Sequence, residues 1–187
     1  QQEKQSFREK EPTFALSNIK HQPKKHEKKH FYFSLHLDLV PHKLYLTKNT
    51  GYTAYLFAYF EGSGELATQE QLRFAVSADA VHWKALNGNP PRHPIGEISQ
   101  TGGIRDPHIL RGEDGHTFYI TATDMFTRKN GWEYNPGIVL LKSGNLTDWT
   151  HGIIDLEKSY PEKFAHIKWV WAPQTIYDPE ARKYMVY

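Results

Sequence analysis

The pattern of apolar and polar positions along this chain is that of strands. From Phe31 onward, Phe31, Phe33, Leu35, Leu37 and Leu39 alternate with mostly polar neighbours, the two-residue period of a strand buried on one face. Further runs predict strands over 55–60, 72–76, 118–123, 138–141 and 184–187. Turn-forming clusters divide them: Asn49-Thr50-Gly51, Glu113-Asp114-Gly115 and Asp178-Pro179-Glu180, each a hairpin signal between apolar runs. No stretch carries a long helical period, so the fold class is all-β. Residues 1–30 are polar, rich in Lys, Gln, Glu and His, and have no sustained period. They read as a mobile tail, leaving 31–187 as one folded domain.

The pattern also repeats. Pro41, Pro107 and Pro173 lie 66 residues apart, as do Leu44, Leu110 and Ile176, then Tyr52, Phe118 and Tyr184. A later stretch keeps that offset: Ser77 through Trp83 becomes Ser143 through Trp149. Several antiparallel strands per fixed-length repeat predict a β-propeller, in which neighbouring blades bury one another's faces. A chain of 187 residues holds fewer than three such units, about two and a half blades. The expectation is therefore a partial propeller, the N-terminal part of a larger ring, cut off in a strand at Tyr187. Trp83 and Trp149, recurring within the units, are expected in the core.

Just before the repeated proline the copies read Val40, Asp106 and Ala172. The architecture repeats and the carboxylate is placed once, which makes Asp106 the leading candidate for chemistry. The structural alternative is a strand-entry Asp that caps a turn or pairs with an Arg. If the first strand of the second unit starts near Asp106 and the next returns over 118–123, then Asp124 and the loop 125–136 reach the same end. Phe60, Glu61 and Trp171 arrive there by the same argument. Arg105 and Asp124 are candidate hydroxyl-binding residues, with a turn role as the alternative for Asp124. Trp132 and Trp171 are candidate stacking surfaces for a sugar.

Composition narrows the partners. Residues 1–30 hold eight Lys or Arg against four Glu, and the remainder fifteen against seventeen acidic residues, so no basic stripe continues into the folded part. A nucleic-acid partner is not expected. No apolar run approaches membrane-spanning length, and no signal peptide is recognisable, because His36 and Asp38 interrupt the nearest apolar run. There is no Cys, which excludes disulfides and thiolate metal sites. His21, His26 and His30 lack partners at a metal-binding spacing. No cofactor and no metal is expected.

The ordered set Ala54 to Phe60, Gly102-Gly103-Ile104-Arg105-Asp106-Pro107-His108-Ile109-Leu110, Ala122-Thr123-Asp124-Met125, Leu141 to Trp149, and Val170-Trp171-Ala172-Pro173-Gln174 resembles glycoside hydrolase family 43. The resemblance implies a five-bladed propeller of arabinofuranosidases, xylosidases and arabinanases that cleave plant polysaccharides with inversion, and a secreted or periplasmic location. It implies three carboxylates: an Asp general base, an Asp that tunes the acid, and a Glu general acid. Asp106 matches the base. The other two are expected beyond Tyr187, so this chain is expected to be inactive alone. A non-catalytic carbohydrate-binding propeller remains an alternative. So does a β-fructosidase-like enzyme, although Val40 and the lack of Cys depart from its pattern.

Overall fold

The computed structural model describes residues 14–16, 31–35, 51–91 and 95–187. Its strands are β1 (Phe14–Leu16), β2 (Phe31–Leu35), β3 (Tyr55–Tyr59), β4 (Arg73–Ser77), β5 (Lys84–Ala85), β6 (Ile104–Arg111), β7 (Phe118–Asp124), β8 (Gly137–Ser143), β9 (Thr150–Asp155), β10 (Thr175–Asp178) and β11 (Lys183–Val186). The helices α1 (Ile95–Ile98), α2 (Thr127–Asn130), α3 (Leu156–Ser159) and α4 (Pro161–Phe164) are single turns of four residues. The protein is all-β, as its pattern predicts.

The strands form three antiparallel sheets in the orders β3-β4-β5, β6-β7-β8-β9 and β1-β2-β11-β10. Local chemistry sets the turns. The Asp114 carboxylate accepts from the N–H groups of His116 and Thr117 at 2.9 and 2.8 Å, closing the β6–β7 hairpin. Asp178 does the same for Glu180 and Ala181 in the β10–β11 turn, both at 2.9 Å. The repeat persists in hydrogen-bonding detail. Ser77 and Ser143 hydroxyls accept from the N–H of Ala80 and Leu146 at 2.9 and 2.8 Å, and both acceptor turns place that residue at φ 63°.

The middle sheet is covered on both faces, which explains why β8 reads as an unbroken apolar run where a half-exposed strand would alternate. On one side Ile120, Ala122, Val139 and Leu141 join Ala58, Leu72 and Phe74 of the first sheet. On the other, Ile138 and Leu140 meet Val186 of the third. β6 contacts both β3 and β10, so the three sheets meet along it.

Phe14–Leu16, within the segment read as a tail, pairs with β2 as a strand. One expectation needs correction. Trp83 is 42% exposed, touching Phe57 with ring centroids 5.4 Å apart. Its counterpart Trp149 stacks on Phe74 at 5.9 Å across the junction of two sheets, and no corresponding sheet covers Trp83 among the described residues. The expectations for the rest of the tail, His21, His26 and His30, the strand over 36–40, Pro41, Leu44, Val40, and Asn49 with Thr50 lie outside the described residues. No described helix is long and apolar enough to cross a membrane.

Candidate active site at the start of the sixth strand

Asp106 sits in a β-bulge. Arg105 pairs with Thr123 and His108 with Thr121, so Asp106 and Pro107 face the single residue Ala122. Bulges re-aim side chains and recur beside functional sites. Asp106 adopts φ 50°, and its repeat counterpart Ala172 adopts φ 49°. A left-handed non-glycine residue costs roughly 1–2 kcal/mol. Because the Ala copy carries the same strain, the backbone shape belongs to the repeat, and the carboxylate is what the second copy adds. Asp106 is half-buried and makes no hydrogen bond or ion pair among the described residues. The structural alternative, a turn cap or an Arg-paired Asp, is therefore not what is seen.

Arg105, its neighbour, is paired elsewhere. Its Nη1 donates to Glu70 Oε1 at 2.5 Å, and its side chain is 16% exposed. The guanidinium lies 4.6 Å from the Phe60 ring centroid and 4.8 Å from that of Trp132. Such cation–π contacts contribute about 0.5–2 kcal/mol each. Glu70 is the largest addition to the sequence-based site. It is fully buried, and its other oxygen accepts from the Thr127 N–H at 2.7 Å. The Thr127 hydroxyl also donates to it.

Three tryptophans cluster next to the Arg105 guanidinium. Trp132 and Trp171 are 54% and 46% exposed and meet edge-on at 6.0 Å. Trp169 lies 6.0 Å from Trp171 and donates its indole N–H to the Trp132 carbonyl at 3.0 Å. The backbone of Asn135 fixes this arrangement, donating to Lys168 at 2.7 Å and accepting from Val170 at 2.9 Å. Ala172 N–H donates to the Thr123 hydroxyl at 2.9 Å, which docks Trp171 beside the Arg105–Thr123 rung. Exposed, clustered indoles offer stacking faces with polar edges. Sequence reasoning missed Trp169, although it stands two residues from Trp171 on an extended segment, the spacing that puts side chains on one side.

Asp124 differs from the expected sugar contact. Its buried carboxylate accepts from the Ser99 hydroxyl at 2.6 Å, the Gln100 and Thr101 N–H groups at 2.9 and 3.1 Å, and the Thr101 hydroxyl at 2.7 Å. A carboxylate so occupied anchors the 99–103 loop that leads into Asp106 and has little capacity left for ligand. Glu61, also expected at the mouth, pairs with Arg73 at 3.3 Å. His108, two residues past Asp106, is kept below its ordinary pKa by burial. Its Nδ1 accepts from the Thr175 N–H at 3.2 Å, which fixes the neutral tautomer with the proton on Nε2. Among the described residues no group of three or more His, Asp or Glu is placed to hold a metal.

A left-handed carboxylate without a partner among the described residues, next in sequence to an arginine packed against an indole cluster, is suited to a hydroxyl-rich ring. Residues 50–187 match the family described as "Probable glycosyl hydrolase domain", related to glycoside hydrolase family 43, and the chain belongs to that family. It is also similar to an alpha-L-arabinofuranosidase of Bifidobacterium longum subsp. longum, with 25% identity over 156 residues. That match covers 79% of this chain and 14% of the relative, so the chain spans about one seventh of that enzyme's length. No solved structure matches the chain.

Proposed function

We propose that this chain supplies the general-base side of a glycosidase centre that hydrolyses arabinofuranosyl or xylosyl linkages with inversion. The observation that carries the reading is Asp106: a carboxylate with no protein partner among the described residues, presented by a bulge directly after Arg105, whose guanidinium lies against Trp132 of the Trp132–Trp171 pair. In this reading the three sheets are blades of a propeller, and the mouth at the start of β6 is part of its central cleft. Asp106 takes a proton from a water that attacks the anomeric carbon. An acid on the opposite face protonates the leaving oxygen, with the two carboxyls roughly 6.5–9.5 Å apart to admit the water. Trp132 and Trp171 stack on the sugar, and Arg105 offers its remaining N–H groups to ring hydroxyls.

Glu61, Glu70 and Asp124 are all engaged by protein partners and do not supply the acid. We therefore expect the 187-residue chain to bind sugar without turnover. A longer form that contains this domain and is active is expected to lose about 10²–10⁴-fold in kcat/KM on Asp106→Asn, the usual range for a positioned base. Unchanged activity in that variant would remove Asp106 from the chemistry. A binding-only propeller is the second reading, favoured by the engagement of Glu61, Glu70 and Asp124. A longer form that binds arabino- or xylo-oligosaccharides and cleaves none would establish it.

A further inference from the structure

We infer that Glu70 is a positioning residue of this mouth, locking the Asp106 bulge and the Trp132 loop into one unit through a single buried carboxylate. The inference rests on the glycosidase reading for what the mouth binds, and on geometry alone for the lock. Glu70 belongs to the irregular segment between β3 and β4, far in sequence from the Asp106 bulge and the Trp132 loop. Its backbone is left-handed at φ 52°, its N–H donates to the Glu61 carbonyl at 2.7 Å, and its own carbonyl accepts from the Ile104 N–H at 2.6 Å. That last bond fastens the first residue of β6, two positions before Asp106.

The carboxylate completes the connection. One oxygen receives Arg105 and the Thr127 hydroxyl, and the other receives the Thr127 N–H. The turn α2 has no side-chain cap from its own Phe126, so a distant residue satisfies an N–H that the first turn of a helix leaves open. Five residues after Thr127, Trp132 packs against the Arg105 guanidinium, as does Phe60. Glu70 thus sets Arg105 in plane, and Arg105 in plane gives Trp132 a fixed floor. Burial of an ionised carboxylate with a charged donor is costly unless its lone pairs are used, and here the donors come from β6 and from the start of the Trp132 loop. Its consequence is geometric: the indole and the bulge keep one spacing, which sets the distance between the stacked sugar and Asp106.

The test uses the protein labelled with 5-fluorotryptophan, whose five Trp residues give one fluorine resonance each, with Trp132 assigned from Trp132→Phe. Glu70→Gln and Thr127→Val are compared with Thr127→Ser, which keeps the hydroxyl, and affinities for arabinotriose and xylotriose are measured by calorimetry. The expected result is a displaced or broadened Trp132 resonance in Glu70→Gln and Thr127→Val, a sugar affinity lower by roughly tenfold, and recovery of both in Thr127→Ser. Should Glu70→Gln fail to fold, the Thr127 pair decides. An unmoved Trp132 resonance overturns the lock. A moved resonance with unaltered affinity also overturns the inference, leaving Glu70 a support for folding only. A wild type that binds neither sugar refutes the glycosidase reading, while the resonances still decide whether the lock exists.

Discussion

At the scale of single residues, the division between strain and chemistry is sharpest at Asp106. Its φ of 50° is shared with Ala172, so the left-handed turn is imposed by the repeat and the carboxylate gains nothing from it. Asp106→Gly is therefore expected to fold at least as stably as the parent, with a gain of up to about 1–2 kcal/mol from relieved strain, measured by chemical denaturation, although it removes the proposed base. A loss of stability of that size would mean the carboxylate holds the bulge together. The sequence singled out Asp106 because the repeat gave an internal comparison at Val40 and Ala172, and the backbone shape it shares with Ala172 is what the structure adds. Glu70 was not legible. It lies 35 residues from Arg105 in a segment without period, and nothing local marks a glutamate that will be buried by distant partners. Asp124 was placed at the right end of its strand, but its four donors come from residues 99–101, a loop whose return path the strand pattern does not encode.

Among elements, the loop from Ser99 to Gly103 couples the carboxylates of the site to the sheet. A Cβ on Gly103 would stand 2.3 Å from the Met125 carbonyl oxygen and 2.8 Å from Phe126 Cβ. Backbone on both sides leaves no flexible atom to yield. Gly103→Ala is expected to cost about 1–3 kcal/mol and to displace the Met125–Phe126 start of the Trp132 loop, seen as a lower thermal midpoint together with altered tryptophan fluorescence. Full stability and an unaltered spectrum would show that the close approach is dispensable. The hairpins were readable because Asp114-Gly115 and Asp178 build their turns with their own carboxylates. The exposure of Trp83 was not, since burial of a recurring residue depends on the neighbouring sheet and not on its own repeat.

For the molecule as a whole, β6 is the strand on which the sheets meet and along which the site is strung. His108, on that strand, is held by burial below the ordinary histidine value of 6.5 and stays neutral against Thr175. The unfolded chain takes up this proton first as pH falls below about 6.5, so stability is full above that value and declines beneath it until the folded group titrates. The thermal midpoint should fall as the pH is lowered below about 6.5, and fall less in His108→Gln. Asp79 does not confuse this window, since its bonds from His82 hold it below the ordinary carboxylate value of 3.8. Identical acid limbs for the two proteins would free His108 from any part in joining the second and third sheets.

The central claim is spatial: sugar lies on the indole cluster with Asp106 at its anomeric carbon. It is tested most directly by a crystal structure of the chain with a bound arabino-oligosaccharide. The predicted result is a furanose ring against Trp132 or Trp171 and an Asp106 oxygen roughly 3 Å from a water poised at the anomeric carbon. A sugar seated instead in the groove of about 860 Å³ at the other end of the sheets, between Tyr52 and Arg111, with Asp106 untouched, would contradict it.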